Sequence, residues 1–275
     1  MVKIMLDSGS DGKFVHPHDY HVSLTVEIAD RVYKDGVDLR PQRFYKLLTT
    51  AEAFPKTSQP SPEEFAACFQ QAKEQGEEVV YLALSSGLSG TLQSANIAKN
   101  MVEYDNIHIV DTRTATHMIG MLAGYAAKLA EDGLSGAEIA EKVTQLRDKQ
   151  VIYAGLQTLE YLFKGGRLSR TSAAIGTIAN IKPIITVNAE GKVETFAKSI
   201  GVKRAIQTIV KQVQEHEIDE AFDFWILYSE GEENCDALEA ALTAAGISVS
   251  GRMQVGPTIG AHVGPGVYGV TYITK

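Results

Sequence analysis

No stretch of this chain stays apolar for the ~18 residues that a membrane-spanning helix needs. The opening MVKIMLDSGSDGKF loses its apolar character at Asp7, too early for a secretory leader. The expectation is a cytoplasmic protein without stable membrane insertion. Positive charge is also scarce: the formal net charge is −8. That argues against nucleic acid as a partner, because nucleic-acid binders concentrate Lys and Arg along one face. Cysteine is nearly absent. Cys68 and Cys235 stand far apart with no CxxC, which rules out a disulfide framework and suits a reducing compartment. Internal repeats and low-complexity segments are missing as well.

What is present is an ordinary globular composition over 275 residues, 44% hydrophobic and 22% charged, enough for two domains and a core that can enclose a ligand. Short β-rich runs alternate with helical patterns, the mark of an α/β fold. VKIML at 2–6, HVSLTVEI at 21–28, VVYLALS at 79–85 and IHIV before Asp111 read as strands. Ser61, Pro62 and Glu64 match N-cap, N1 and N3 of a capping box, opening a helix that runs to Gly76. Further helices are expected through about 103 and over 114–131 and 135–149. A parallel, helix-covered sheet over 1–155 follows from this alternation, with VIYAGL at 151–156 at the changeover. Residues 156–275 read as a smaller mixed α/β domain. KPIITV and KVETFA flank the turn 188–191 as a hairpin, followed by a helix over 202–215, the strand FWILYS, a helix over 233–245 and two strands. Ligand sites in such proteins favour the crevice between domains and the carboxyl ends of parallel strands.

Four segments gather Gly, Ser, Thr and Pro at strand ends. The first, 56–61, holds Thr57 and Ser58. The second, 85–91, holds Ser86, Gly87, Ser89 and Gly90 between a buried strand and a helix. Such loops offer hydroxyls and backbone N–H groups to an anion, although Ser and Thr also cap helices with no ligand. The third carries Lys164 and then Gly165, Gly166, Arg167 and Arg170; the glycines allow close backbone approach, or simply end a helix. The fourth, 260–266, places His262 in a Gly-rich turn that starts at Gly260. Neutral imidazole there can donate to an oxyanion and His⁺ can pair with it.

Other motifs fail. Gly264, Gly266 and Gly269 fit GxGxxG but leave no room for a βαβ unit. There is no GxxxxGK[ST], and 87–90 lacks the spacing of a GxSxG nucleophile elbow. His16, His18 and His21 cluster without a cysteine or a distant fourth ligand, so no metal is assigned. Asp7 and Asp111, each at a strand end, are candidates for catalysis but read better as acceptors of backbone N–H bonds or as helix caps.

Together TSQPS before a helix, SSGLSGTLQSA after a buried strand, LEYLFKGGRLS leading to IKPI, and IGAHVGPGVYG resemble the DegV family in order and spacing over essentially the whole chain. LDSGSD resembles the family's Asp-Ser start, then continues differently. The resemblance implies a long-chain fatty acid in a tunnel between two α/β domains, with no other cofactor. The family's carboxylate-binding hydroxyls fall on Thr57 and Ser89, and its C-terminal histidine on His262. It also implies a partner, the ATP-bearing catalytic subunit of a fatty acid kinase, which makes an acyl phosphate for phospholipid synthesis. Lys164, Arg167 and Arg170 are the residues expected to meet that partner. Relatives carry an arginine in a Lys-x-Arg-Gly-x-Lys-Lys-Ala pattern, and Ile200 occupies that place here. IGMLAGYAAKLA and TSAAIGTIANI read either as an apolar cavity wall or simply as core, and the sequence does not separate the two. The competing readings are a stand-alone acyl hydrolase or phosphotransferase with Ser89 as nucleophile and His262 as base, and a lipid-bound sensor or scaffold.

Overall fold

The computed structural model describes residues 2–11, 19–168 and 180–275. His16, His18, Ser169, Arg170 and most of TSAAIGTIANI lie outside them.

Four parallel strands form the first sheet: β1 (Val2–Asp7), β2 (Tyr20–Val22), β6 (Glu78–Ala83) and β7 (Ile107–Asp111), in the order β2-β1-β6-β7. Alternation decides which face each side chain covers. Ile4, Leu6, Val80 and Leu82 point to the side of α4 (His117–Glu131) and α5 (Gly136–Arg147). Met5, Val79, Tyr81 and Ala83 point to the side of α2 (Pro62–Gln75) and α3 (Thr91–Val102). Both faces are buried, which is why the strands read as continuous apolar runs. The α2 capping box is present, with Glu64 N donating to Ser61 Oγ and Ser61 N to Glu64 Oε2. The helix stops at Gly76, whose φ of +66° a side chain would strain.

The stretch 21–28, expected as one strand, is two. Tyr20–Val22 completes the parallel sheet, whereas β3 (Thr25–Ile28) joins β4 (Arg31–Lys34) and β5 (Lys56–Ser58) in a separate antiparallel sheet of order β4-β3-β5. Its inner face packs on α1 (Pro41–Leu48) through Val26, Ile28, Phe44, Tyr45 and Leu48.

The third sheet has six strands in the order β10-β9-β8-β13-β11-β12: β8 (Gln150–Gly155), β9 (Ile181–Val187), β10 (Val193–Ile200), β11 (Trp225–Tyr228), β12 (Gly251–Gln254) and β13 (Tyr268–Ile273). Gln150–Gly155, grouped above with the first half of the chain, hydrogen-bonds into this sheet between β9 and β13. One face is covered by α7 (Val202–Gln214) and α8 (Glu233–Ala244). The other turns Ile152, Leu227, Met253 and Ile273 toward the first sheet, in one cluster with Ile4, Leu82 and Leu122. Two short helices, α6 (Glu160–Lys164) and α9 (Pro257–Val263), pack against each other beside this junction. The arrangement is a mixed α/β fold in two domains, with a crevice between the parallel sheet and the six-stranded sheet.

Candidate functional site: a cavity between the sheets

The crevice holds a narrow cavity of about 80 Å³, smaller than the ~300–1,000 Å³ typical of small-molecule sites, so a larger ligand has to part its walls. Its wall is mostly aliphatic. Leu24, Leu84, Leu227 and Val255, each 3% exposed or less, are among its most buried side chains. Its half-buried side chains include the polar Thr57, Ser89, Arg167 and His262, brought from four separate segments.

Each arrives by simple local rules. Thr57 is the middle residue of β5, so alternation turns it inward while Lys56 and Ser58 face solvent. Ser58 does not line the cavity. Ser89 lies just before α3, accepts a hydrogen bond from Thr91 N at 3.3 Å and shares one with the Thr91 hydroxyl at 2.7 Å. Its loop is tight: Gly87 approaches the backbone of Gly191, and Gly90 packs against the Gln59 side chain, so each lacks room for a Cβ. Ser86 points away, donating through N and Oγ to the Asp111 carboxylate at 3.1 and 2.5 Å.

The segment 260–266, expected as a turn, begins as the end of helix α9. Pro257 sits at its first position and supplies the fixed φ that starts it. The helix points His262 into the cavity wall, where Nε2 shares a hydrogen bond with Thr57 Oγ1 at 2.8 Å. Burial, aided by the nearby Arg167 charge, holds the His262 pKa down at about 4. The ring is therefore neutral at ordinary pH. Its buried Nδ1 has no partner among the described residues and lies against Gly165. Gly260 serves packing: its Cα faces Phe44 and Tyr45 of α1, where a Cβ would come within 2.6 Å of Tyr45 Oη.

Arg167, read from sequence as a partner contact, is half-buried in the cavity wall. Its Nε donates to Leu88 O at 2.9 Å and Nη1 to Gly165 O at 2.6 Å, and burial lowers its pKa. Lys164 stays outside, paired with Glu160 at 2.9 Å and set over the Phe54 ring at 3.8 Å. Ile200 is on edge strand β10, 60% exposed. Of the two readings of IGMLAGYAAKLA, core is the one the structure shows. Ile119, Leu122, Ala123 and Ala126 are core, and Met121, Gly124 and Tyr125 face a separate groove beside Trp225. The apolar wall comes instead from residues such as Val187 and Val193, which no motif marked, and Leu88 and Ile259, which lie inside SSGLSGTLQSA and IGAHVGPGVYG but are not marked there as wall. Among the described residues no group of three or more His, Cys, Asp or Glu is placed to hold a metal, and no helix is long and apolar enough to cross a membrane.

The sequence and the overall fold are similar to those of known proteins. A DegV domain-containing protein of Caldanaerobacter subterraneus is 38% identical over 256 residues, 92% of this chain and 91% of that protein. The structure of a DegV family protein from Thermus thermophilus, described as binding fatty acid, matches with a TM-score of 0.87 at 31% identity, covering 100% of this chain and 99% of the other. A fatty acid binding DegV family protein from Streptococcus agalactiae matches with a TM-score of 0.88 at 26% identity, again covering 100% and 99%. The family model described as "Uncharacterised protein, DegV family" matches residues 1–275, and this chain belongs to the DegV family.

Proposed function

We propose that the chain binds one long-chain fatty acid in this cavity, with the tail among the aliphatic side chains and the carboxylate at Thr57, Ser89, His262 and Arg167. The observation that carries this reading is the make-up of the wall: the hydroxyl, imidazole and guanidinium groups of Thr57, Ser89, His262 and Arg167 line a cavity whose other side chains are mostly aliphatic. Two relatives of the same fold are described as binding fatty acid. An acyl tail gains about 0.8 kcal/mol per buried methylene. The carboxylate must find donors or lose more than the tail gains. With its one proton on Nε2, neutral His262 donates to Thr57 Oγ1, which frees the Thr57 hydroxyl to donate to the ligand, so His262 serves the carboxylate through Thr57. Ser89 adds a second hydroxyl and Arg167 a positive charge.

In this reading the protein is a cytoplasmic carrier and not an enzyme by itself. A separate ATP-bearing kinase subunit transfers the γ-phosphoryl group to a carboxylate oxygen, giving acyl phosphate and ADP for phospholipid synthesis. The hydrolase alternative finds less support. Ser89 Oγ is bonded to Thr91 and His262 to Thr57, so nucleophile and base are not paired, and among the described residues no carboxylate orients His262 Nδ1. Titration with oleate and with oleyl alcohol tests the binding step, and addition of a fatty acid kinase catalytic subunit with ATP tests the transfer. Tight oleate binding and ATP-dependent acyl phosphate are expected. Binding without any acyl phosphate would leave the sensor or scaffold role.

A further inference from the structure

The loop that carries Ser89 is held by a residue that does not line the cavity. Ser85 is fully buried at the end of β6. Its carbonyl accepts from Leu88 N and Ser89 N, both at 3.0 Å, and its own N–H donates to Thr114 O at 2.9 Å. Its hydroxyl accepts from Gly87 N at 3.1 Å and donates to Gly191 O at 2.7 Å, in the turn between β9 and β10. One side chain thus ties the head-group loop of the first domain to the hairpin of the second. The fit is close on both sides. Gly191 has a φ of +74° and no space for a Cβ beside Ser85 Oγ, and a Cβ on Gly87 would meet Gly191 O at 2.7 Å. Arg113 Nη1 adds a bond to Ala189 O at 3.2 Å in the same turn. Val187 and Val193, which flank the turn, and Leu88 and Ser89, which follow Ser85, all line the cavity. The Ser85 bonds therefore join two of its walls.

We infer that Ser85 is a positioning residue for the head-group site: its hydroxyl couples docking of the 188–191 turn to the placement of Ser89. This rests on the fatty-acid reading above and deepens it. Acting through Ser89, Ser85 makes a specific prediction of non-additivity, because residues in one hydrogen-bond network couple while general loosening adds.

The test is oleate affinity, measured by calorimetry on the full chain, for wild type, Ser85→Ala, Ser89→Ala and the double variant. Ser85→Ala is expected to weaken oleate about tenfold, the effect of one lost buried hydrogen bond. The double variant is expected to bind no worse than Ser89→Ala alone. Wild-type affinity in Ser85→Ala, or losses that simply add in the double variant, would overturn the inference while leaving the fatty-acid reading standing. Wild type that binds no oleate would overturn both. Should Ser85→Ala fail to fold, Ser85→Cys carries the test, since a thiol is a weak donor of nearly the same shape. It must weaken oleate binding severalfold and be silent in the Ser89→Ala background, and no loss would overturn the inference.

Discussion

Thr57 Oγ1 and His262 Nε2 lie 2.8 Å apart although 205 positions separate them in the chain. Thr57 belongs to the small sheet of the first half and His262 to a helix that follows the edge strand β12 of the six-stranded sheet. The bond therefore forms only when both are docked, and it makes the head-group end of the cavity a product of the whole fold.

Removing the hydroxyl at this junction should separate affinity from shape. Thr57→Ala is expected to reduce fatty-acid affinity about tenfold and to lower stability by about 1 kcal/mol, whereas Thr57→Ser keeps both near wild type. Calorimetric titration together with urea unfolding checks the pair of effects. Equal affinity for Ala and wild type would show that the hydroxyl does not meet the ligand.

Stability should carry a pH signature from His262. Its folded pKa is depressed to about 4 from 6.5, so between those values the unfolded chain binds more protons. The contribution is full above about pH 6.5 and is lost as pH falls toward 4, up to about 3 kcal/mol for complete burial. Asp35 acts in the opposite sense: burial raises it from 3.8 to about 6, so its contribution falls as pH rises through that value. Urea unfolding of wild type and His262→Gln at pH 7.5, 6 and 5 isolates the histidine. Wild type is expected to lose stability relative to the variant as pH falls, and parallel curves would contradict the assignment.

Arg167 lowers the His262 pKa and faces the cavity. Arg167→Met is therefore expected to move the His262 titration upward, read from its imidazole NMR signals. The same substitution should weaken oleate binding about tenfold or more and reduce its salt dependence, with oleyl alcohol much less affected. Unchanged titration and affinity would return Arg167 to the surface role that its sequence context suggested.

Gly260 offers a control outside the ligand's reach. Gly260→Ala places a methyl within 2.6 Å of Tyr45 Oη and 2.8 Å of Phe44. Overpacking of this kind costs about 1–3 kcal/mol. Thermal unfolding should register that loss, and oleate affinity of the folded protein should remain within about twofold.

Much of the fold was legible because local signals agreed with the tertiary outcome. Ser61 and Glu64 form the capping box they spell, and the turn 188–191 joins the two strands that flank it. Strand 79–85 reads as buried because both faces of the sheet are covered. The small sheet was not legible. Its strands have three or four residues, too few for periodicity to show, and the break between Val22 and Thr25 divides one apolar run between two sheets. The helix carrying His262 was hidden by glycines whose purpose is contact: Gly260 admits Tyr45, and Gly264 at the C-cap has a φ of +75°. Composition at strand ends marked the segments of Thr57, Ser89 and His262, resemblance picked out the three side chains, and the structure sets all three around one cavity. The place of Arg167 depends on Leu88, which is 79 positions away, and no local pattern encodes that contact.

The central claim is that the cavity holds a fatty acid by its carboxylate, and native mass spectrometry of protein purified from a bacterial host tests it most directly. A stoichiometric long-chain fatty acid is predicted, lost or strongly reduced in the Thr57→Ala/Ser89→Ala double variant. Protein that arrives empty and still takes up no added fatty acid would contradict the account.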